Sequence, residues 1–265
     1  MTTLGSTLRW YGSLHSPPVR LSVLGSNGTY PTADRPASGY LVATSASSVL
    51  LDMGPGVFPA MLATGRLPDA IVLTHVHSDH CIDLLSLFNY LRFDATEHWG
   101  IPVFAPSGVI DRLAAFVGAG PDHDFFRALR PQVIAPGAAV EVGELRIHFG
   151  AVTHPVPAVS CRVEGRGKTI VYSGDTGPGG DLVELAAKAD LLLCEATLQG
   201  SPTGERYPYH LSAAEAGVVA REAAVRILVL THIAPLLDPE VSVHEAAAEF
   251  TGPIRYAEPG LEVAL

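Results

Sequence analysis

Basic residues, cysteine and long apolar runs are all scarce in this chain, and each scarcity closes off a class of function. Lys and Arg number 17 against 27 Asp and Glu, a formal net charge of -10. No stretch clusters the bases with aromatics, so a surface for long RNA or DNA is not expected. The three cysteines, Cys81, Cys161 and Cys194, are odd in number, widely spaced and outside CxxC spacing. They read as reduced thiols beside apolar sequence, not as a disulfide frame. Hydrophobic residues make up 48% of the chain, yet no uninterrupted apolar run approaches the ~18 residues of a membrane span. The opening Met1 to Pro18 has one Arg and no apolar segment of the signal-peptide kind, so the expected location is the cytoplasm. Linkers, charge blocks and repeats are missing as well. The 265 residues are therefore expected to form one α/β domain, 1–265, long enough to bury a substantial core.

What the chain does have is a dense run of metal-ligand side chains. Thr74-His75-Val76-His77-Ser78-Asp79-His80 follows the apolar Ala70-Ile71-Val72-Leu73. Three imidazoles and a carboxylate gathered without a metal would be desolvated with nothing to compensate, whereas divalent metals take neutral imidazole nitrogens and carboxylate oxygens as ligands. If Ile71 to Thr74 is a strand, His75 and His77 leave its carboxyl end on one side, and Asp79 and His80 open the helix that follows. One HxH alone would equally describe a surface histidine cluster, so the rest of the ligand set decides. His154 follows the strand-like Leu145 to Val152, Asp175 lies in Tyr172-Ser173-Gly174-Asp175-Thr176-Gly177, and His232 follows Ile227 to Thr231. Seven ligand-type residues at strand ends are enough for two metal sites sharing one carboxylate. Their His-rich character favours Zn, and the mixed His and carboxylate set also admits Mn or Fe.

Periodicity predicts strands over 19–25, 38–44, 47–52, 69–74, 101–105, 144–152, 158–164, 168–173, 190–195 and 227–231, and helices over 79–92, 107–117, 180–188, 212–224 and 240–249. Ser212 with Glu215 three residues later is a capping-box signal for a helix start. Strands first, then strands alternating with helices, fit two mixed sheets packed face to face with helices outside. Segments 93–100 and 118–131 are bulky without periodicity and read either as lids or as packed surface loops.

With Leu51-Asp52-Met53-Gly54-Pro55-Gly56 ahead of HxHxDH, His, Asp and His, the chain resembles the metallo-β-lactamase-fold hydrolases along nearly its whole length. The resemblance implies a four-layer αββα sandwich. It also implies that His75, His77 and His154 hold one metal and Asp79, His80 and His232 the other, with Asp175 bridging. Asp52 is then expected to orient ligand histidines by hydrogen bonding.

Leu193-Cys194-Glu195-Ala196-Thr197, followed by His210-Leu211-Ser212, is similar to paired elements of ribonuclease Z-like phosphodiesterases. The likeness implies that Glu195 orients His210 as proton donor to a leaving oxygen. Nucleases of that branch that process transfer RNA carry an arm between the motif His and Asp, where this chain has only 20 residues, 155 to 174. Ala37-Ser38-Gly39-Tyr40-Leu41, the Asp175 turn, Glu195-Ala196, His210-Leu211-Ser212 and Leu230-Thr231-His232-Ile233-Ala234-Pro235 resemble an actinobacterial group of atypical class II cyclic-nucleotide phosphodiesterases. That implies hydrolysis of 3',5'-cyclic AMP, or of cyclic GMP, to the 5'-nucleotide by in-line attack of a metal-activated hydroxide, with Asp79 holding the nucleophile's proton. The resemblance also admits a homodimer, although no apolar stripe marks an interface.

Other readings are weaker on the residues. β-Lactam hydrolysis would call for an export signal. A glyoxalase II-like thioesterase shares the bridging Asp but does not require Glu195 with His210. Diiron flavoprotein chemistry would replace the second His by Glu and add a flavin domain. A non-catalytic metal-stabilised binding protein would have no reason to keep all seven ligands. Tyr207 and Tyr209 read as base-stacking or packing residues. Ser38 and the Gly25-Ser26-Asn27-Gly28 turn read as phosphate-approaching or, more simply, tight-turn elements. His15, His98, His123, His148 and His244 match no motif and read as structural or solvent-facing.

Overall fold

Short runs rich in Val, Leu and Ile lay out two seven-stranded sheets in the computed structural model, which describes residues 19–200 and 208–265. The first sheet uses β1 (Arg20–Gly25), β2 (Gly39–Ala43), β3 (Ser48–Leu51), β4 (Ala70–Val72), β5 (Ile101–Pro106) and β6 (Leu129–Ile134). The second uses β7 (Ala139–Val142), β8 (Leu145–Ala151), β9 (Val159–Gly165), β10 (Lys168–Tyr172), β11 (Leu191–Glu195), β12 (Leu228–Thr231) and β13 (Ile254–Tyr256). The last strand, β14 (Glu262–Ala264), returns to pair with β1 at the edge of the first sheet. Pairing is antiparallel from β14 through β1 and β2 to β3, and parallel from β3 to β6. The second sheet repeats the plan, antiparallel from β7 to β10 and parallel from β10 to β13.

The period of two along each strand decides the layers. Val49 and Leu51 join Ile170, Tyr172, Leu191 and Leu193 in a core drawn from both sheets. Their neighbours turn the other way. Leu50 packs with Leu84, Leu87 and Phe88 of the helix Leu84–Phe93, while Val171 and Leu192 pack with Ala213, Ala216 and Ala220 of the helix Ala213–Glu222. The result is the αββα sandwich that the sequence reading expects. The helix Ala213–Glu222 starts on the full capping box, with Ser212 accepting from the Glu215 amide and Glu215 accepting from the Ser212 amide. No helix among the described residues is long and apolar enough to cross a membrane.

Several expectations about elements need correction. The four strands missing from the sequence reading, β6, β7, β13 and β14, are the outermost strands of the two sheets. Edge strands are half-exposed and tolerate charge and proline, as Arg130, Pro131 and Gln132 of β6 illustrate, so they carry no apolar run to detect. The helix expected over 79–92 is broken into Ser78–Cys81 and Leu84–Phe93. Asp83 lies at the break, its amide donating to the Met53 carbonyl and its carboxylate accepting from the Phe58 amide. A helix at Val57–Ala63, with Pro59 in its first turn, went unpredicted. The helix expected over 180–188 shrinks to Leu182–Leu185, flanked by left-handed Gly179, Gly180 and Lys188. Segments 93–100 and 118–131 are packed surface structure: Trp99 Nε1 donates to the Leu91 carbonyl, and Phe125 is buried against Phe88.

All three cysteines are buried and unpaired. Burial pushes the Cys81 thiol up to about 12 and holds the Cys161 and Cys194 thiols above their ordinary range. Because the thiolate is the reactive form, the folded protein is expected to resist alkylation by iodoacetamide at neutral pH and to take up three equivalents only in denaturant. Mass spectrometry of the labelled protein checks this, and rapid labelling of the native form would contradict it.

Candidate metal centre

The ligand-type residues converge because the strands that carry them end side by side. His75 and His77 come from the loop after β4, and Asp79 and His80 from the one-turn helix Ser78–Cys81. His154 follows β8 and Asp175 follows β10, while Glu195 ends β11 and His232 follows β12. Since β10, β11 and β12 are parallel neighbours, Asp175, Glu195 and His232 share one edge of the second sheet.

Two groups form. In the first, His77 Nδ1 lies 3.0 Å from His75 Nε2 and 3.2 Å from His154 Nε2, with Asp175 Oδ2 3.7 Å from His75 Nε2. In the second, His80 Nε2 and His232 Nε2 are 3.2 Å apart, and Asp79 Oδ2 is 3.3 Å from His232 Nε2 and 3.6 Å from His80 Nε2. Asp175 Oδ1 reaches this second group, at 3.3 Å from His80 Nε2 and 3.5 Å from His232 Nε2. One carboxylate thus turns an oxygen to each group, and all seven predicted ligand residues are brought together.

The side chains fit divalent cations on two counts. Ring nitrogens meet at hydrogen-bond distance in both groups, an arrangement that a shared cation satisfies. Asp175 Oδ1 is buried without a hydrogen-bond partner among the described residues, although His80 lies near it. A buried carboxylate oxygen left in this way calls for a positive partner.

Most ligand rings are aimed by a contact at the opposite nitrogen. His80 Nδ1 lies 2.7 Å from Asp52 Oδ2, as expected of Asp52, which also accepts from the Thr74 amide and hydroxyl and from the Tyr172 hydroxyl. His75 Nδ1 is 3.0 Å from Thr74 Oγ1, His154 Nδ1 is 3.4 Å from the Tyr209 carbonyl, and His232 Nδ1 is 2.8 Å from Thr197 Oγ1. Asp79 Oδ2 accepts from the amide of Thr29, a residue with φ of 68°. The sequence reading gave no role to Thr29, Thr74 or Thr197. Thr197 at least stood in a motif, whereas nothing local marks the Thr29 amide as reaching Asp79.

Electrostatics separate the two groups. Burial holds His75 well below its ordinary pKa, lowers His77, and takes His154 down to about 4. These imidazoles are neutral and ready as ligands at neutral pH. For His80, burial is outweighed by Asp175 and Asp52, and for His232 by Asp175 and Asp79, so both are raised. Asp175 and Asp79 are correspondingly lowered against their burial, Asp175 chiefly by His232 and His80, Asp79 by its hydrogen bond with His232. A cation entering the second group would displace protons.

Beside the seven stands the predicted pair. Glu195 is fully buried, and His210 Nδ1 lies 3.0 Å from its Oε1. The His210 ring stacks on His232 at 5.6 Å between centroids and 16° between planes. A nitrogen of His210, an oxygen of Asp175 and a nitrogen of His232 all fall within 4.8 Å of one another. The turn carrying His210 presses on the Asp175 turn so closely that a Cβ at Gly177 would collide with the Pro208 carbonyl. Among the unassigned histidines, His123 accepts from the Phe125 amide and His148 sits near Glu164, both away from the centre. His15 and Tyr207 lie outside the described residues. The Gly25–Gly28 turn is tight, as its simpler reading holds: a Cβ at Gly25 would strike the Ala37 carbonyl, and one at Gly28 would crowd His232.

Comparison with known proteins agrees with this geometry. Residues 47–233 match the family described as beta-lactamase superfamily domain. An uncharacterized protein of Mycobacterium leprae (strain TN) is 39% identical, over 89% of this chain and 85% of its own. The Ribonuclease Z of Mycobacterium bovis (strain BCG / Pasteur 1173P2) is 30% identical, over 89% of this chain and 94% of its own. The solved structure of the metallo-beta-lactamase fold protein YhfI from Bacillus subtilis matches with a TM-score of 0.82 at 25% identity, covering 94% of this chain and 99% of that one.

Proposed function

The chain belongs to the beta-lactamase superfamily and is a metal-dependent hydrolase, and from that premise we propose that it is a phosphodiesterase converting 3',5'-cyclic AMP to 5'-AMP within a single domain of residues 1–265. In this reading His75, His77 and His154 hold one divalent metal, Asp79, His80 and His232 hold a second, and Asp175 lies between them. Zn suits the His-rich set, with Mn or Fe as alternatives. Such metals supply Lewis-acid polarisation of phosphoryl oxygens and acidify water.

The observation that carries the proposal is His210, tied through Nδ1 to the buried Glu195 and stacked on His232 beside Asp175. A phosphodiester that expels an alkoxide needs a proton at the leaving oxygen, and an imidazole held in place by a carboxylate is suited to deliver it. Glu195 has only acceptor oxygens to offer as a carboxylate, so it holds the ring through Nδ1–H, and in this reading Nε2 would deliver the proton. Asp79, whose Oδ2 accepts from the Thr29 amide and lies 3.3 Å from His232 Nε2, would take up the proton of the attacking water in this reading.

A small anionic substrate is supported over long RNA by two features. The formal net charge is -10, and residues between His154 and Asp175 are taken up by the β9–β10 hairpin, which turns at Arg166–Gly167 without room for an arm. The test is turnover of 3',5'-cyclic AMP by protein loaded with Zn or Mn, with the product identified by chromatography. Release of 5'-AMP is the expected result. No turnover by fully metallated protein would remove the cyclic-nucleotide assignment, and cleavage of a thioester in its place would select the glyoxalase II-like alternative.

A further inference from the structure

Thr197 sits where the proton-donor pair meets the second metal group, and its single hydroxyl proton has only one good destination. Thr197 Oγ1 lies 2.6 Å from Glu195 Oε2, 2.8 Å from His232 Nδ1 and 3.4 Å from His210 Nδ1. Glu195 is fully buried and surrounded by donors: the amides of Thr176, Thr197 and Leu211, the His210 ring and the Thr197 hydroxyl all address it. The shortest contact of the hydroxyl, to a carboxylate that has only lone pairs to offer, takes the proton. The oxygen is then an acceptor toward His232, so His232 must carry its own hydrogen on Nδ1. Its Nε2, which faces His80, Asp79 and Asp175, is thereby the nitrogen that a cation would take.

We propose that Thr197 is a positioning residue that sets the tautomer and ring angle of His232 through Glu195, so that one buried carboxylate orients both the proton donor and a metal ligand. This rests on the ligand assignment proposed for His232, and it deepens that reading by making the two halves of the site share Glu195. The left-handed backbone of His232, with φ of 54°, and the hydrogen bond from its amide to the Ser26 carbonyl hold the main chain in place. Rotation of the ring is what remains to be restrained, and Thr197 is the partner at Nδ1.

The experiment compares Thr197→Val, which keeps the shape and removes the hydroxyl, with Thr197→Ser, which keeps the hydroxyl. Zinc affinity is read by competition with a chromophoric chelator, and kcat and KM are read on bis(4-nitrophenyl) phosphate. Thr197→Val is expected to weaken one of the two zinc affinities, that of the Asp79, His80 and His232 group, about 10–100-fold, the usual cost of losing an orienting partner, and to lower kcat with little change in KM. Thr197→Ser should stay within about threefold of wild type, by restoring the same orienting bond. Equal zinc affinity in Thr197→Val and wild type, or equal impairment of Val and Ser variants, would overturn the proposal. Long-range 15N–1H spectra of zinc-loaded wild type decide the matter even if the Val variant does not fold: His232 protonated at Nδ1 supports it, and protonated at Nε2 overturns it. Loss of zinc in Thr197→Val, with no phosphodiesterase activity in wild type, would uphold the positioning role while removing the proposed reaction.

Discussion

Asp175→Ala should lose more than ~100-fold in metal affinity, because removing a partner that only orients a ligand already costs about 10–100-fold and Asp175 reaches both groups directly. Its Oδ1 addresses His80 and His232, and its Oδ2 addresses His75. Without that carboxylate, one group keeps only imidazoles and the other keeps Asp79 as its one carboxylate, with no negative charge shared between them. Hydrolytic activity should fall below detection with it. The measurement is metal content after dialysis, together with the thermal midpoint with and without chelator. Metal held at about 100 times its Kd stabilises a folded protein by about 2.7 kcal/mol. Wild type should therefore drop in Tm on chelation, and Asp175→Ala should scarcely move. A variant that retains wild-type metal content would refute the placement of Asp175 between the two groups.

His210→Ala should behave differently: metal stays and turnover goes. His210 is outside the seven residues proposed to hold the two metals. Its carboxylate partner keeps the Thr176 and Leu211 amides and the Thr197 hydroxyl when the imidazole is removed. The variant should fold and load metal normally. Loss of a general acid costs about 10²–10⁴-fold in rate, and that range is expected for 3',5'-cyclic AMP. The loss should be much smaller for bis(4-nitrophenyl) phosphate, whose leaving group is stable as an anion and needs little protonation. Equal losses on both substrates would show that His210 acts by something other than proton donation, and loss of metal would make it a ligand.

The two variants separate what the sequence makes visible from what it hides. The order HxHxDH, His, Asp, His is legible because ligand chemistry belongs to residue types, and each of the seven follows an apolar run that can be recognised by its period. The central strands are legible for the same reason: β10 and β11 alternate between the inter-sheet core and the helix layer, with Ile170 and Leu191 inward and Val171 and Leu192 outward. Edge strands β6, β7, β13 and β14 break that pattern, because one side of each meets solvent and selection for apolar residues is relaxed there. The split of the 79–92 helix was invisible for another reason. It depends on Asp83 bonding to Met53 and Phe58, residues 25 to 30 positions away.

By itself, then, the sequence supplied seven ligand-type residues at strand ends and two mixed sheets with helices outside, since these are written in residue identity and local period, while the αββα assignment and the pairing of Glu195 with His210 came from resemblance to known families. Only the tertiary structure decided that Asp175 turns one oxygen to each group, that the Thr29 amide pins Asp79, and that Thr197 joins Glu195 to His232. Those relations follow from which strand ends become neighbours. Sheet order places β10, β11 and β12 side by side, and long-range pairing of that kind is fixed by the packing of whole sheets, not by any stretch of adjacent residues.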